Sequence, residues 1–239
     1  MKKTLAAAAL LAMLSLGTST ADAAIVVGGN QIANLVTALE ALGEAYRIEA
    51  DQPDPTGLGA GDIIILGQNG GTAFPRNYTE FLNAGGDIIL TGGSNSDQFR
   101  SWAETYFEIT DTDRGWHLAD GWRKTANHPA NAYLPETYEF ENSLHTYHML
   151  AFTPKPGVVL LGENSEPNFI AAFKRYGSEG SFNYMALDLG WRDGDQEAFI
   201  TPWLRGSLEA ARGIPEPTSL AFVMAVGVVG WRARRAGVR

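Results

Sequence analysis

Apolar positions in the first half of the chain fall into two alternating patterns. Ala24 to Val27 is a short apolar run that stops at Gly28-Gly29. Ile32, Leu35, Val36, Leu39 and Leu42 then recur at helical spacing within Gln31 to Leu42, and Gly43 closes that helix. Tyr46 to Ile48 is a second strand. Asp51 to Gly61, rich in Pro, Gly and Asp, is a loop. Asp62-Ile63-Ile64-Ile65-Leu66 and Asp87-Ile88-Ile89-Leu90-Thr91 are unbroken apolar runs entering Gly67-Gln68-Asn69-Gly70-Gly71 and Gly92-Gly93. Helices are predicted over Arg76 to Asn83 and Gln98 to Phe107, the second capped by Asn95, Ser96 or Asp97. Runs that do not alternate belong to strands covered on both faces, so the expectation is a doubly wound α/β layer with a mostly parallel sheet.

The pattern loosens from Thr110 to Phe152, a stretch bearing Trp116, Trp122, Tyr133, Tyr138 and Tyr147. It is read as an irregular insertion at about 110–152, with short strands or an ordered lid. Val158 to Leu161 is a strand. Phe169 to Arg175 and Ser181 to Leu187 form a hairpin about Gly177 to Gly180, and Phe199 to Ala211 is a closing helix ended by Gly213.

The two ends follow neither pattern. Lys2 and Lys3 precede an apolar h-region from Leu5 to Leu16, and Ala21-Asp22-Ala23 offers small residues where a signal peptidase reads. Residues 1–24 are therefore expected to be a secretory leader, cleaved after Ala23 or Ala24. At the other end, Pro215-Glu216-Pro217 cannot be helical and leads into the apolar stretch Leu220 to Trp231. Arg232, Arg234, Arg235 and Arg239 follow. A dozen helical residues rise ~18 Å against a hydrocarbon core of ~30 Å. The segment is thus a marginal, transient anchor with its arginines held cytoplasmic. The proline-flanked glutamate, short apolar helix and terminal arginines, taken with the leader, resemble the PEP-CTERM sorting signal. The resemblance covers residues 214–239. It implies recognition and processing by an exosortase, a membrane cysteine transpeptidase, and delivery to the cell surface or an exopolysaccharide matrix of a Gram-negative-type bacterium.

Once both ends are removed, the domain at 25–213 holds 12 basic against 25 acidic residues, a net charge of −13 compared with −9 for the whole chain. Such a surface repels phosphate backbones, so nucleic acid is not an expected partner. The chain has no cysteine, which excludes disulfides, thiolate zinc sites and cysteine nucleophiles. Between the ends, the order β-α-β, then Gly-Asp-Ile-Ile-Ile-Leu, a helix, Ala-Gly-Gly-Asp-Ile-Ile-Leu-Thr-Gly-Gly, and a final Gly-rich hairpin with its closing helix resembles the class I glutamine-amidotransferase-like, flavodoxin-like superfamily. Its non-catalytic, carbohydrate-associated branches are the closer likeness. The amidotransferase nucleophile would follow Thr91, where this chain reads Gly92-Gly93-Ser94, so that chemistry is not expected.

In an open α/β sheet a ligand lies beyond the carboxyl ends of the strands. Gly29, Asn30, Gln68, Asn69, Gly92, Gly93 and Ser94 would then line a backbone-rich pocket with amide side chains, suited to a polar ligand such as a sugar. The plainer reading is that these glycines make tight strand-to-helix turns. Ser94 as nucleophile needs a base, for which His148 is a candidate. A serine at a helix start is more often a cap. His145 and His148 would share a face on a helix and point apart on a strand, and the surrounding residues look strand-like. Asp188, Trp191, Arg192, Asp193 and Asp195 could hold calcium or stack a sugar, or could form a solvated acidic turn. No cofactor is implied. The expected partners are signal peptidase, exosortase and a polysaccharide, and the expected role is non-catalytic binding or scaffolding. The competing expectation is an exported hydrolase acting on sugars or esters at the same edge.

Overall fold

The computed structural model describes residues 23–49, 52–68, 77–92, 106, 117–146, 156–164, 169–177, 179–190 and 194–213. Among these residues nine strands form one sheet: β1 (Ile25–Gly29), β2 (Arg47–Ile48), β3 (Ile63–Gln68), β4 (Asp87–Gly92), β5 (His117–Lys124), β6 (Thr137–Thr146), β7 (Val158–Glu163), β8 (Phe169–Tyr176) and β9 (Gly180–Met185). Their spatial order is β2-β1-β3-β4-β9-β8-β7-β5-β6. Among the described residues the α-helices are α1 (Ala33–Leu42), α2 (Thr79–Asn83) and α3 (Thr201–Ala211), the last entered through a wide π turn at Gln196–Ile200.

The pairings from β2 to β9 are parallel and those from β9 to β6 are antiparallel. This mixed sheet with three described helices corrects the expectation of a doubly wound, mostly parallel fold of the flavodoxin-like or amidotransferase-like kind. The reason lies in the connections. A parallel neighbour needs a long crossover, which the first half supplies. A short loop can only return the chain antiparallel. The β8–β9 hairpin turns within Gly177 to Gly180, so β8 must oppose β9, and the chain's last strand ends up in the middle of the sheet.

The stretch expected to be an insertion is corrected as well. Its described part supplies β5 and β6, which continue the main sheet. β5 overlaps β7 only through Arg123–Glu163 and Lys124–Gly162. Most of the β5–β6 ribbon therefore projects past the end of β7.

Strands β1, β3, β4 and β9 are buried on both faces, as the unbroken apolar runs of the first three require, while the edge strand β2 is exposed. Asn183 on β9 donates from Nδ2 to Ser207 Oγ of α3 at 2.6 Å. Its neighbour Phe182 points the opposite way and stacks on Tyr106 at 5.5 Å. Helix α3 thus covers one face, and the layer containing Tyr106, Tyr78 and α2 covers the other. Gly86 is required there, because a Cβ at that position would stand 2.2 Å from the Phe81 ring.

Candidate functional site

Strands β1, β3 and β4 end side by side, with Gly29 opposite Gly67 and Gln68 opposite Gly92. Of the residues expected to line a pocket, Gly29, Gln68 (through its backbone) and Gly92 are therefore brought to one edge, with Asn30 exposed on its rim. Asn69, Gly93, Ser94 and His148 lie outside the described residues.

Among the described residues, what occupies this edge is largely backbone. Thr91 Oγ1 donates to the Leu187 carbonyl at 2.5 Å and accepts from the Leu189 N–H at 3.2 Å. Asn34 donates from its backbone N–H to the Gly190 carbonyl at 3.2 Å and from Nδ2 to the Leu189 carbonyl at 3.1 Å. The segment after β9 is thereby laid across the end of β4 and the start of α1. A Cβ on Gly29, where φ is +110°, would lie 1.9 Å from the Gly67 carbonyl oxygen. One on Gly67 would lie 1.8 Å from that of Gln31. These two glycines let main chains approach closely.

The acidic segment after β9 departs from a solvated turn. Asp188 is 1% exposed and Asp195 is 8% exposed. Trp191, Arg192 and Asp193 lie outside the described residues. Asp195 has φ of +57°, a left-handed conformation rare for a residue with a side chain. Its carboxylate accepts from the Tyr138 hydroxyl at 2.5 Å and from the Glu141 N–H at 3.4 Å. Burial, together with that carboxylate, pushes the Tyr138 phenol up to about 12.

Tyr138 belongs to a cleft of about 590 Å³ that sequence reasoning did not single out. Trp122 and Tyr138 are cross-strand partners, and so are Arg123 and Thr137, and Gly121 and Glu139. Strand alternation sends the two aromatics inward. Tyr138 and Trp122 pack on Phe199 with centroids 5.5 and 5.6 Å away. Arg123, Thr137 and Glu139 stay exposed. Trp122 Nε1 donates to the Pro135 carbonyl at 3.1 Å. Its ring covers Gly162 so closely that a Cβ there would stand 2.1 Å from it. Arg123 pairs with the largely buried Glu163, and the buried Asn164 completes the floor. A guanidinium, a carboxylate, two hydroxyls and an amide around aromatic edges offer donors and acceptors to a hydroxyl-rich ligand. The available signal was Thr137-Tyr138-Glu139-Phe140, which alternates outward and inward. Its partner Trp122 lies a whole turn away, so the alternation alone did not reveal a cleft.

The histidines do not form a centre among the described residues. His128 caps the short turn Pro129–Asn131. Its Nδ1 accepts from the Ala130 N–H at 3.1 Å, and its ring lies 4.2 Å from Phe173. Burial, with the nearby Arg175 charge, lowers it to about 4, so it is neutral at ordinary pH. His145 stands on β6 and His117 opens β5. No group of three or more possible metal ligands occurs among the described residues.

No protein-family model matches this chain, and no curated protein matches it. Solved structures do. The cytoplasmic protein STM3548 from Salmonella typhimurium superposes with a TM-score of 0.56 at 10% identity, covering 79% of this chain and 98% of its own. The cytoplasmic protein STM1381 from Salmonella typhimurium LT2 gives 0.55 at 11% identity, covering 79% and 99%. At such identities the likeness establishes the fold and nothing of the activity.

Proposed function

We propose that this chain is an exported protein, processed through its C-terminal sorting tail and delivered to the cell surface or matrix, where its mixed-sheet domain binds polysaccharide without catalysis. The observation that carries the reading is the succession of residues in the tail, Pro215-Glu216-Pro217 before Leu220 to Trp231 and the terminal arginines, at the opposite end from a leader-like segment. Both segments lie outside the described residues, as do Ser94 and His148. Among the described residues no helix is long and apolar enough to cross a membrane.

The geometry of the domain supports this reading. Ala24 enters at the amino edge of the sheet, bonded to Asp62 just before β3. Gly213 leaves beside Ala60, Gly61 and Gly85 at that same edge. The cleft containing Tyr138 and Asn164 lies at the opposite edge, because β7 runs parallel to β9 and Asn164 follows its carboxyl end. A domain tethered through its C-terminal tail would hold the membrane at one edge and present the cleft at the other.

The test is fractionation of cells producing the full chain, followed by binding of the recovered protein to a glycan panel. Recovery from the surface or matrix with saturable binding to an acidic or neutral polysaccharide supports the reading. Binding that survives Arg123→Ala and Tyr138→Phe would move the ligand away from the cleft. Turnover of chromogenic esters or glycosides that Ser94→Ala or His148→Ala abolishes would replace binding by hydrolysis.

A further inference from the structure

The first described residues carry an arrangement that a leader-bearing precursor does not need. The Ala24 N–H donates to Asp62 Oδ1 at 2.8 Å. The other oxygen, Oδ2, accepts from the Gly59 N–H at 2.8 Å, and the Asp62 N–H returns to the Gly59 carbonyl at 3.1 Å. A tight turn from Gly59 to Asp62 thus fixes the carboxylate, half-buried, against the nitrogen of Ala24. The Ala24 carbonyl in turn accepts from the N–H of the wholly buried Ile63 at 2.9 Å.

From this we propose that the leader is cut at the Ala23–Ala24 bond, and that the amino terminus so created forms an ion pair with Asp62 that locks β1 to β3. The inference rests on the export reading above. Hydrolysis by signal peptidase adds one water across the bond. The carboxylate stays on Ala23 and departs with the leader, and the released amine of Ala24 takes up a proton. The nitrogen that was a neutral amide donor becomes an ammonium beside a carboxylate already in place. Hydrogen bonds with both partners charged are stronger than neutral ones. The alternative cut, after Ala24, removes both interactions. It would leave Asp62 without this donor and the buried Ile63 N–H without its acceptor, which is costly. Of the two bonds that the leader's small residues allow, the fold accommodates cleavage at the first and is damaged by cleavage at the second. Processing would then also tighten the fold, because the lock exists only in the mature chain.

Two readouts on the full chain test this. Mass spectrometry of protein exported by a Sec-competent host should find Ala24 as the first residue. A start at Ile25 overturns the lock and leaves export standing. A chain intact from Met1 in an export-competent cell overturns the export reading and the lock together. The second readout compares Asp62→Asn in exported protein and in a Leu14→Arg precursor, whose broken h-region keeps the leader attached. The substitution should lower the melting temperature by several degrees in the exported form, at least twice its effect in the precursor. Equal shifts in the two forms would mean that Asp62 serves only as a turn residue, and would overturn the ion pair.

Discussion

The two halves of the sheet solve the problem of burial differently. From β2 to β9 the strands are parallel, and β3, β4 and β9 are sealed on both faces. Asp87, Thr91 and Ser181 are buried in this half with dedicated partners. Ser181 donates to Asp87 Oδ1 at 2.5 Å, and Thr91 holds the Leu187–Leu189 backbone. From β8 to β6 the strands are antiparallel, and the β5–β6 ribbon at the far side keeps an open face where Arg123, Thr137 and Glu139 meet solvent and Arg123 pairs with Glu163 of β7. A sheet covered twice leaves no room for a ligand except at its ends, and here the described part of the carboxyl end is crossed by backbone. A sheet covered once has a free face on which to build a cleft. On the function proposed above, the parallel half serves as the scaffold and the β5–β6 ribbon of the antiparallel half as the recognition surface.

The sharpest way to break that comparison is at glycine. Gly29→Ala meets the Gly67 carbonyl at 1.9 Å in a conformation alanine resists, so it should cost at least about 4 kcal/mol and leave little folded protein. Gly157→Ala, at φ of +90° with open space around it in the other half, should cost only about 1 kcal/mol. Urea melts of both variants give the contrast, and equal losses would remove the distinction between the halves.

Next in size is a pH effect. Burial raises Asp87 from 3.8 to about 7, with Ser181 and Arg175 opposing the shift. A carboxyl whose folded value is raised contributes stability fully below about pH 3.8 and loses it as pH rises through about 7. His128 behaves in the opposite sense. Its value is lowered from 6.5 to about 4, so its contribution is complete above about pH 6.5 and is lost as pH falls through about 4. The two trends oppose each other across overlapping windows and flatten the profile of the native chain. Asp87→Asn should remove the loss on the alkaline side, on the order of 3 kcal/mol between pH 4 and 8. It should uncover the His128 decline in acid. Superimposable stability profiles for the two proteins would contradict this.

Tyr138→Phe is a smaller perturbation, aimed at the cleft. It deprives the buried Asp195 carboxylate of its 2.5 Å donor, with an expected cost of about 1.5 kcal/mol in a denaturant melt. It should weaken ligand binding more than it changes the fold. Smallest of all is Arg212→Ala. Arg212 bonds both Glu44 oxygens, at 2.7 and 2.6 Å, and so ties the end of α3 to the end of α1. At a partly exposed site this should contribute about 0.5 kcal/mol, and less at high salt.

Most of the parallel half could be read from the residues alone. Ile63 to Leu66 and Ile88 to Leu90 are unbroken because both faces of their strands are covered, and helical spacing placed α1 within two residues of its observed start. The hairpin and closing helix were legible too, since Gly177 to Gly180 and Gly213 bound them. Strand direction was not legible beyond β4. Apolar runs such as Val158 to Leu161 look the same in either orientation, and only the turn lengths decide. The cleft was hidden for a related reason. Trp122 and Tyr138 become neighbours through cross-strand pairing, and the left-handed backbone of Asp195 has no glycine to announce it. At the carboxyl edge the glycines were visible, but whether they admit a ligand or another main chain depends on where Leu187 to Gly190 is laid.

The account as a whole turns on processing and delivery. The most direct measurement is the location and intact mass of the full chain in a bacterium that carries an exosortase. It would be made beside a variant with Pro215, Glu216 and Pro217 all changed to Ala. The native chain should reach the surface or matrix with its arginine-bearing end removed, while the variant stays at the inner membrane with that end intact. Recovery of both from the cytosol, unprocessed at either end, would contradict the account.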